Sequence, residues 1–145
     1  MAALTLLEIR EPSDPYAKVQ HGIGEAGLGI LNHLRMVALE CRAAARADLF
    51  EACALISTHP SLAKTAYAEA LIKCLPQAIG KTPRMLRPGE TEVTFDEAWI
   101  AQLVTASATK DFDSFDFLLR SRVEPWARRN VAFLVTSFSE QFSQI

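Results

Sequence analysis

The sequence has few cysteines, and none of them lies at a metal-binding spacing. Cys41, Cys53 and Cys74 are odd in number, far apart and surrounded by alanine, leucine and isoleucine. A disulfide framework uses an even set of cysteines, and structural zinc needs four closely organised ligands, supplied by pairs such as CxxC or HxxxH. We therefore expect three buried thiols, no metal, no cofactor and a reducing compartment.

Long hydrophobic runs are also absent. No stretch reaches about 18 uncharged apolar residues, the length that crosses a bilayer as a helix. The opening residues, MAALTLLEIREPSDP, lack the basic start and the continuous apolar centre of a secretory signal. The sequence thus predicts a cytoplasmic protein with no membrane partner.

Charge of one sign and internal repeats are missing as well. The 15 basic and 17 acidic residues leave a formal charge of -2, which argues against a broad nucleic-acid-binding surface. The lack of a repeat argues against a solenoid. Half of the residues are apolar, as in globular chains. We expect one domain over residues 1–145, in which residues 1–13 form a loose N-terminal arm.

The main pattern in the sequence is the recurrence of apolar residues at helical spacing. Ser13-Asp14-Pro15 has the chemistry of a helix start, and His59-Pro60 has that of a helix end. Between them, one long helix and two shorter ones with a restart at Asp48 are both compatible with the pattern. From Ile30 onward, small or apolar residues recur at steps of three and four: Leu34, Val37, Cys41, Ala45, Leu49, Cys53 and Ile56.

A further helix is predicted after Ser61, which is a suitable cap, with its end at Gly80. Its inner face comprises Ala66, Tyr67, Leu71, Cys74, Leu75 and Ala78. The next segment, residues 81–95, holds two prolines and a glycine, so we expect an irregular loop or a short hairpin around Pro88-Gly89.

Helix starts and a proline divide the remaining sequence. Thr94 and Glu97 have the type and spacing of a capping box. Asp111 to Ser114 is a second break and start, and Pro125 either kinks one long helix or begins another. The inner face of the helix after Thr94 is predicted to hold Trp99, Ile100, Leu103, Val104 and Ser107. The sequence predicts an all-α fold, a compact single-domain bundle of about five helices.

A glycine-rich segment contains the pattern GxGxxG, formed by Gly22, Gly24 and Gly27, with Gly29 after it. A dinucleotide site needs a buried strand before these glycines and an acidic residue about twenty positions later. The preceding residues are polar, and no such acid closes the unit. Gly22, Ala26 and Gly29 fall at i, i+4 and i+7, which favours a stripe for close helix packing, although an unwound or ligand-binding segment stays open.

His33 lies in Ile30-Leu31-Asn32-His33-Leu34-Arg35, which resembles the phosphoacceptor helix of histidine kinases and phosphotransfer proteins over about four positions. The family pattern places one residue between the histidine and the Leu-Arg pair and a proline or glycine downstream, and this sequence has neither. The resemblance implies a small helical enzyme or phosphotransfer module that uses His33. The alternative is a half-exposed helical histidine.

The arginines of the segment Arg120–Arg129 are the best candidates for a partner site. On one continuous helix, Asp116, Arg120, Glu124 and Arg128 would form a solvated ladder. The other side would carry Arg122, Trp126, Arg129 and Phe133 among further apolar residues. Arginine beside aromatic rings is typical of protein interfaces. A core helix with ion-paired arginines and a nucleic-acid-binding helix are the alternatives.

The sequence therefore favours a non-catalytic helical interaction or regulatory domain that self-associates or binds another protein. A helical enzyme using His33 is the second hypothesis, and nucleic-acid binding at Arg120–Arg129 is the third. The sequence points to no catalytic residues and does not indicate whether a small molecule binds.

Overall fold

A computed structural model describes residues 18–19, 24–40 and 63–143 as an all-α fold, which confirms the predicted class. Two two-residue strands and a 3-10 turn at Pro125–Ala127 accompany the helices. The strands are β1 (Lys18–Val19) and β2 (Val93–Thr94). The helices are α1 (Gly24–Glu40), α2 (Ala63–Ile79), α3 (Phe95–Ala108), α4 (Phe112–Arg122) and α5 (Arg128–Ser143).

Helix α3 lies at the centre of the bundle. It packs against α1, α4 and α5, while α2 packs against α1 and α5. Ten of its fourteen residues are buried, so α3 has no polar face of the kind that surface helices keep. The predicted inner residues are all buried, and they are Trp99, Ile100, Leu103, Val104 and Ser107.

Helices α1 and α2 place their predicted apolar stripes in the same core. In α1, Ile30, Leu34 and Val37 are buried, although the helix begins at Gly24, before the predicted stripe. In α2, the described stripe is confirmed, and the helix ends before Gly80, which has a φ of +80°. The predicted features at Cys41–Ile56, His59-Pro60 and Ser61 lie outside the described residues.

The predicted loose arm 1–13 and the predicted helix start at Ser13-Asp14-Pro15 lie outside the described residues, and Lys18–Val19 form β1. This strand pairs antiparallel with β2, joining Lys18 to Thr94 and Val19 to Val93. Residues 81–92 form the irregular loop that was one of the two alternatives, with a turn at Pro88-Gly89 closed by a hydrogen bond from the Glu90 amide to the Arg87 carbonyl. The partner of β2 is therefore distant in sequence, and not the other arm of a local hairpin.

Pro125 separates two helices. Val123 is extended, with a ψ of 131°, and Pro125 occupies the first position of the 3-10 turn. The idea of one continuous face through Arg120–Arg129 is therefore wrong, because the phase of the first helix is lost after Arg122. Proline has no backbone N–H group, but the N–H at the first position of a helical turn has no partner within that turn. Proline at this position therefore costs no hydrogen bond.

Candidate interaction surface

Arg35 and Glu97 form an ion pair in which both side chains are 0% exposed. Arg35 Nε donates to Glu97 Oε2 at 2.6 Å, and Arg35 Nη2 donates to Oε1 at 3.0 Å. This two-pronged contact joins α1 to α3. A buried pair is tolerable only when further hydrogen bonds satisfy the remaining donors and lone pairs.

One further bond, from Arg35 Nη1 to Asn32 Oδ1 at 3.1 Å, stays within α1, and four others lead to the loop 81–92 and β2. Arg35 donates to the carbonyl oxygens of Glu90 at 2.7 Å and Glu92 at 2.9 Å. Glu97 accepts from the amides of Leu86 at 2.8 Å and Thr94 at 3.0 Å. The pair therefore holds a segment without regular structure in one conformation against the bundle.

Sequence reasoning assigned Glu97 only to the capping box, which is confirmed, since Thr94 also accepts from the Glu97 amide. It missed Arg35 altogether. The available signal was its position four residues after Leu31, on the inner side of α1, where a cation demands a buried partner.

A second ion pair joins the start of α3 to the end of α4. Arg122 Nη2 lies 2.7 Å from Asp96 Oδ1, and Lys81 Nζ lies 3.8 Å from the same oxygen. The Arg122 guanidinium also lies 5.1 Å from the ring centroids of both Phe95 and Trp99. Arg122 is therefore directed inward, which matches the alternative of an ion-paired core arginine.

The other three residues of the predicted interface are distributed differently. Trp126 is 46% exposed, and Arg129 is exposed in the first turn of α5. Phe133 is half-buried and packs edge-on against Tyr67, with ring centroids 5.9 Å apart. The fold thus leaves Trp126 and Arg129 at the surface and uses Phe133 for internal packing.

The turn that carries Trp126 is held on both sides. The Glu124 amide donates to the Ala78 carbonyl at the end of α2, at 2.9 Å, and the Ala127 amide donates to the Glu124 carbonyl, also at 2.9 Å. Val123 and Ala127 are buried. Trp126 therefore projects from backbone that is already ordered.

Helix α4 has one side in the core and one side in solvent. Leu118 and Leu119 are buried, and the Leu118 carbonyl accepts from Trp99 Nε1 at 2.9 Å. Four exposed residues lie on the opposite side, with successive spacings of one, three and four positions along the sequence. We call this side the α4 outer face: Phe112, Asp113, Asp116 and Arg120.

The ladder predicted along the arginines is present in part. Asp116 and Arg120 pair at 3.0 Å on the α4 outer face. Arg128 does not continue the ladder, because its Nε donates to the Val123 carbonyl at 3.0 Å. A cation at the end of α4 is favourable, since the helix dipole places partial negative charge there.

The glycine segment is not a packing stripe within the described residues. Ala26 and Gly29 are exposed, and a Cβ at Gly29 would meet nothing within 4 Å; Gly27 is buried on another side of α1. Gly24 begins α1 with a φ of +69°. The described strand before it is antiparallel and two residues long, unlike the parallel strand of a dinucleotide fold, and Gly22 lies outside the described residues.

His33 is half-buried, and its ring stacks on Phe138 with centroids 5.8 Å apart. This arrangement matches the alternative of a half-exposed helical histidine. A phosphoacceptor needs a ring nitrogen that a partner protein can reach, and the contact with Phe138 uses one face of the ring for packing.

Within residues 18–19, 24–40 and 63–143, no group of three or more histidines, cysteines or carboxylates could hold a metal ion. In the same ranges, no helix is long and apolar enough to cross a membrane. Cys74, which lies in the described part of the chain, is buried.

The sequence matches no protein-family model, and neither curated proteins nor solved structures show a match to it.

Proposed function

We propose that this chain is a non-catalytic helical interaction domain with a regulatory role, located in the cytoplasm, and that it self-associates. The observation that carries the proposal is Trp126, a large aromatic side chain 46% exposed on an ordered turn. Tryptophan contributes disproportionately to protein interfaces because it buries a large area with few rotatable bonds. An ordered turn lowers the entropy lost on binding.

The surroundings of Trp126 support the same proposal. Arg129 is exposed three residues later, in the first turn of α5, where a cation opposes the helix dipole. Arg128 offsets that unfavourable position by donating to the end of α4, whereas Arg129 is exposed. An interface with an acidic group would compensate Arg129.

Ion pairs account for two further cations near this surface. Arg122 pairs with buried Asp96, and Arg120 pairs with Asp116. This distribution gives little support to the nucleic-acid alternative, which needs a row of unpaired cations. The stacked, half-buried His33 gives little support to the phosphotransfer alternative.

Sedimentation velocity over a wide concentration range tests self-association. We expect the wild-type chain to shift reversibly from monomer to dimer, and Trp126→Ser to weaken the dimer by roughly 30-fold, which corresponds to about 2 kcal/mol for an interface anchor. The matched control is Met36→Ser, which removes a large side chain of similar exposure from α1.

A wild-type chain that stays monomeric at every concentration would overturn the proposal. So would equal weakening by Met36→Ser and Trp126→Ser, because the effect would then not depend on this surface.

A further inference from the structure

Helix α4 places a hydrophobic side chain, two acids and a base on one exposed face. Phe112 is 67% exposed, the highest value among the exposed large hydrophobic residues of the described chain. Asp116 lies one turn further on, and Arg120 lies one turn beyond that. The face therefore runs from an aromatic ring, through acid, to base.

We infer that the α4 outer face binds the same face of a second copy of this chain, with the two α4 helices antiparallel about a two-fold axis. The inference rests on the proposed self-association and names the surface and the partner. A two-fold axis brings identical patches together, so a patch must be complementary to itself.

The charges of α4 satisfy this requirement in one arrangement. If the axis passes midway between Asp116 and Arg120, the Asp116 of each copy lies level with the partner's Arg120. The residues are about 3 Å from the axis along the helix, given a rise of 1.5 Å per residue. A parallel arrangement would instead place like charges opposite each other.

The same axis also fixes the level of Phe112 relative to the partner's α4. Phe112 lies about 9 Å from the axis along α4, by the same rise per residue, and Arg122 ends the helix about 6 Å away on the other side. Each Phe112 therefore reaches the level at which the partner's α4 ends and its Pro125–Ala127 turn begins. That turn carries Trp126, so Phe112 and the partner's turn lie at the same level along the helix axis.

Charge reversal and mixing test this arrangement. In Asp116→Arg, positions 116 and 120 are both positively charged in each copy. In Arg120→Asp, both positions are negatively charged in each copy. We expect each variant alone to dimerise at least about tenfold more weakly than the wild type, because like charges meet. An equimolar mixture of the two variants should recover dimers, as should the double variant Asp116→Arg/Arg120→Asp.

Sedimentation velocity compares these four samples with the wild type, and circular dichroism checks that each variant is folded. Glu69→Arg reverses a charge in another partly exposed i,i+4 pair, with Lys73, and should leave the association unchanged. If Asp116 and Arg120 only stabilise their own helix, mixing the single variants will restore nothing.

The failure of this inference is distinguishable from that of the proposed function. A wild-type dimer that tolerates both single reversals, or a mixture that stays dissociated, overturns the α4 arrangement and leaves self-association through another surface. A wild-type chain that is monomeric throughout overturns both.

Discussion

Arg35 shows how one buried side chain can organise a segment that has no regular structure. Its guanidinium donates to Glu97, to Asn32 and to two loop carbonyls, so each of its nitrogens has a hydrogen-bond acceptor. Asn32 in turn accepts from the Gly89 amide at 3.0 Å. Contacts with α1 and α3 therefore hold the loop 81–92 in place, in addition to its own turn at Pro88-Gly89.

Removal of one member of this pair should be far more damaging than removal of an exposed pair. We expect Glu97→Gln to lower the free energy of unfolding by about 3 kcal/mol or more, because the buried charge on Arg35 loses its counter-ion. Glu69→Gln, in the partly exposed pair with Lys73, should change it by at most about 1 kcal/mol. Urea denaturation measures both, and similar values would contradict the structural role of Arg35 and Glu97.

The carboxyl of Asp111, at the start of α4, has a shifted pKa. The hydroxyl of Ser114 donates to Asp111 Oδ2 at 2.6 Å, and the Ser114 amide donates to Oδ1 at 3.2 Å; together they lower the pKa of this carboxyl from its ordinary value. The negative form is favoured in the folded chain, so its stabilising contribution is present above the unfolded pKa and is lost as the pH falls through the folded pKa.

We therefore expect Ser114→Ala to raise the pKa of Asp111, because the hydroxyl is the larger of the two causes. Carboxyl chemical shifts followed by NMR through an acid titration measure the change. Ser121→Ala is a control, since the Ser121 hydroxyl bonds to the Leu118 carbonyl in the same helix. An unchanged pKa in Ser114→Ala would contradict the N-cap geometry.

At the scale of the element, two glycines have opposite consequences for their helices. Gly80 follows α2 with a φ of +80°, and Gly29 lies inside α1 at an exposed position. Neither would bring a Cβ within 4 Å of another group. Backbone conformation alone therefore distinguishes them.

We expect Gly80→Ala to destabilise the fold by about 1 kcal/mol, because side chains disfavour positive φ, and Gly29→Ala to stabilise it by about 0.5–1 kcal/mol. Thermal denaturation of the two variants provides the comparison. Stabilisation by both substitutions would mean that α2 does not end in this left-handed conformation.

The elements after Thr94 were largely predictable because their signals are local. The capping box at Thr94 and Glu97, the cap at Asp111 and the proline at position 125 each act on the backbone within a few residues. The orientation of Arg122 was not predictable in the same way. It depends on the break at Pro125 and on Asp96, which is 26 positions away.

At the scale of the whole molecule, the two tryptophans report on different regions. Trp99 is 4% exposed and bonded to the Leu118 carbonyl, whereas Trp126 lies at the surface. A dimer through Trp126 would change the environment of one and not of the other.

We expect acrylamide to quench part of the tryptophan fluorescence in dilute protein and less of it as the concentration rises, because association covers Trp126. Trp126→Phe should leave only the protected emission of Trp99 at every concentration. Quenching that is independent of concentration in the wild type would contradict burial of Trp126 on association.

The sequence by itself determined the helical class, the inner faces of α2 and α3, and the helix starts at Thr94 and Asp111. Apolar periodicity and capping chemistry act over three or four residues, so they can be read from the sequence without knowing which elements become neighbours.

The tertiary structure alone decided which charged residues face inward and which surface remains outside. The pairs Arg35–Glu97 and Arg122–Asp96 join residues 62 and 26 positions apart. Whether an arginine is an interface anchor or a core ion pair depends on the partner that the packing of the helices brings to it. Packing also decided that Trp126 and the α4 outer face lie at the surface.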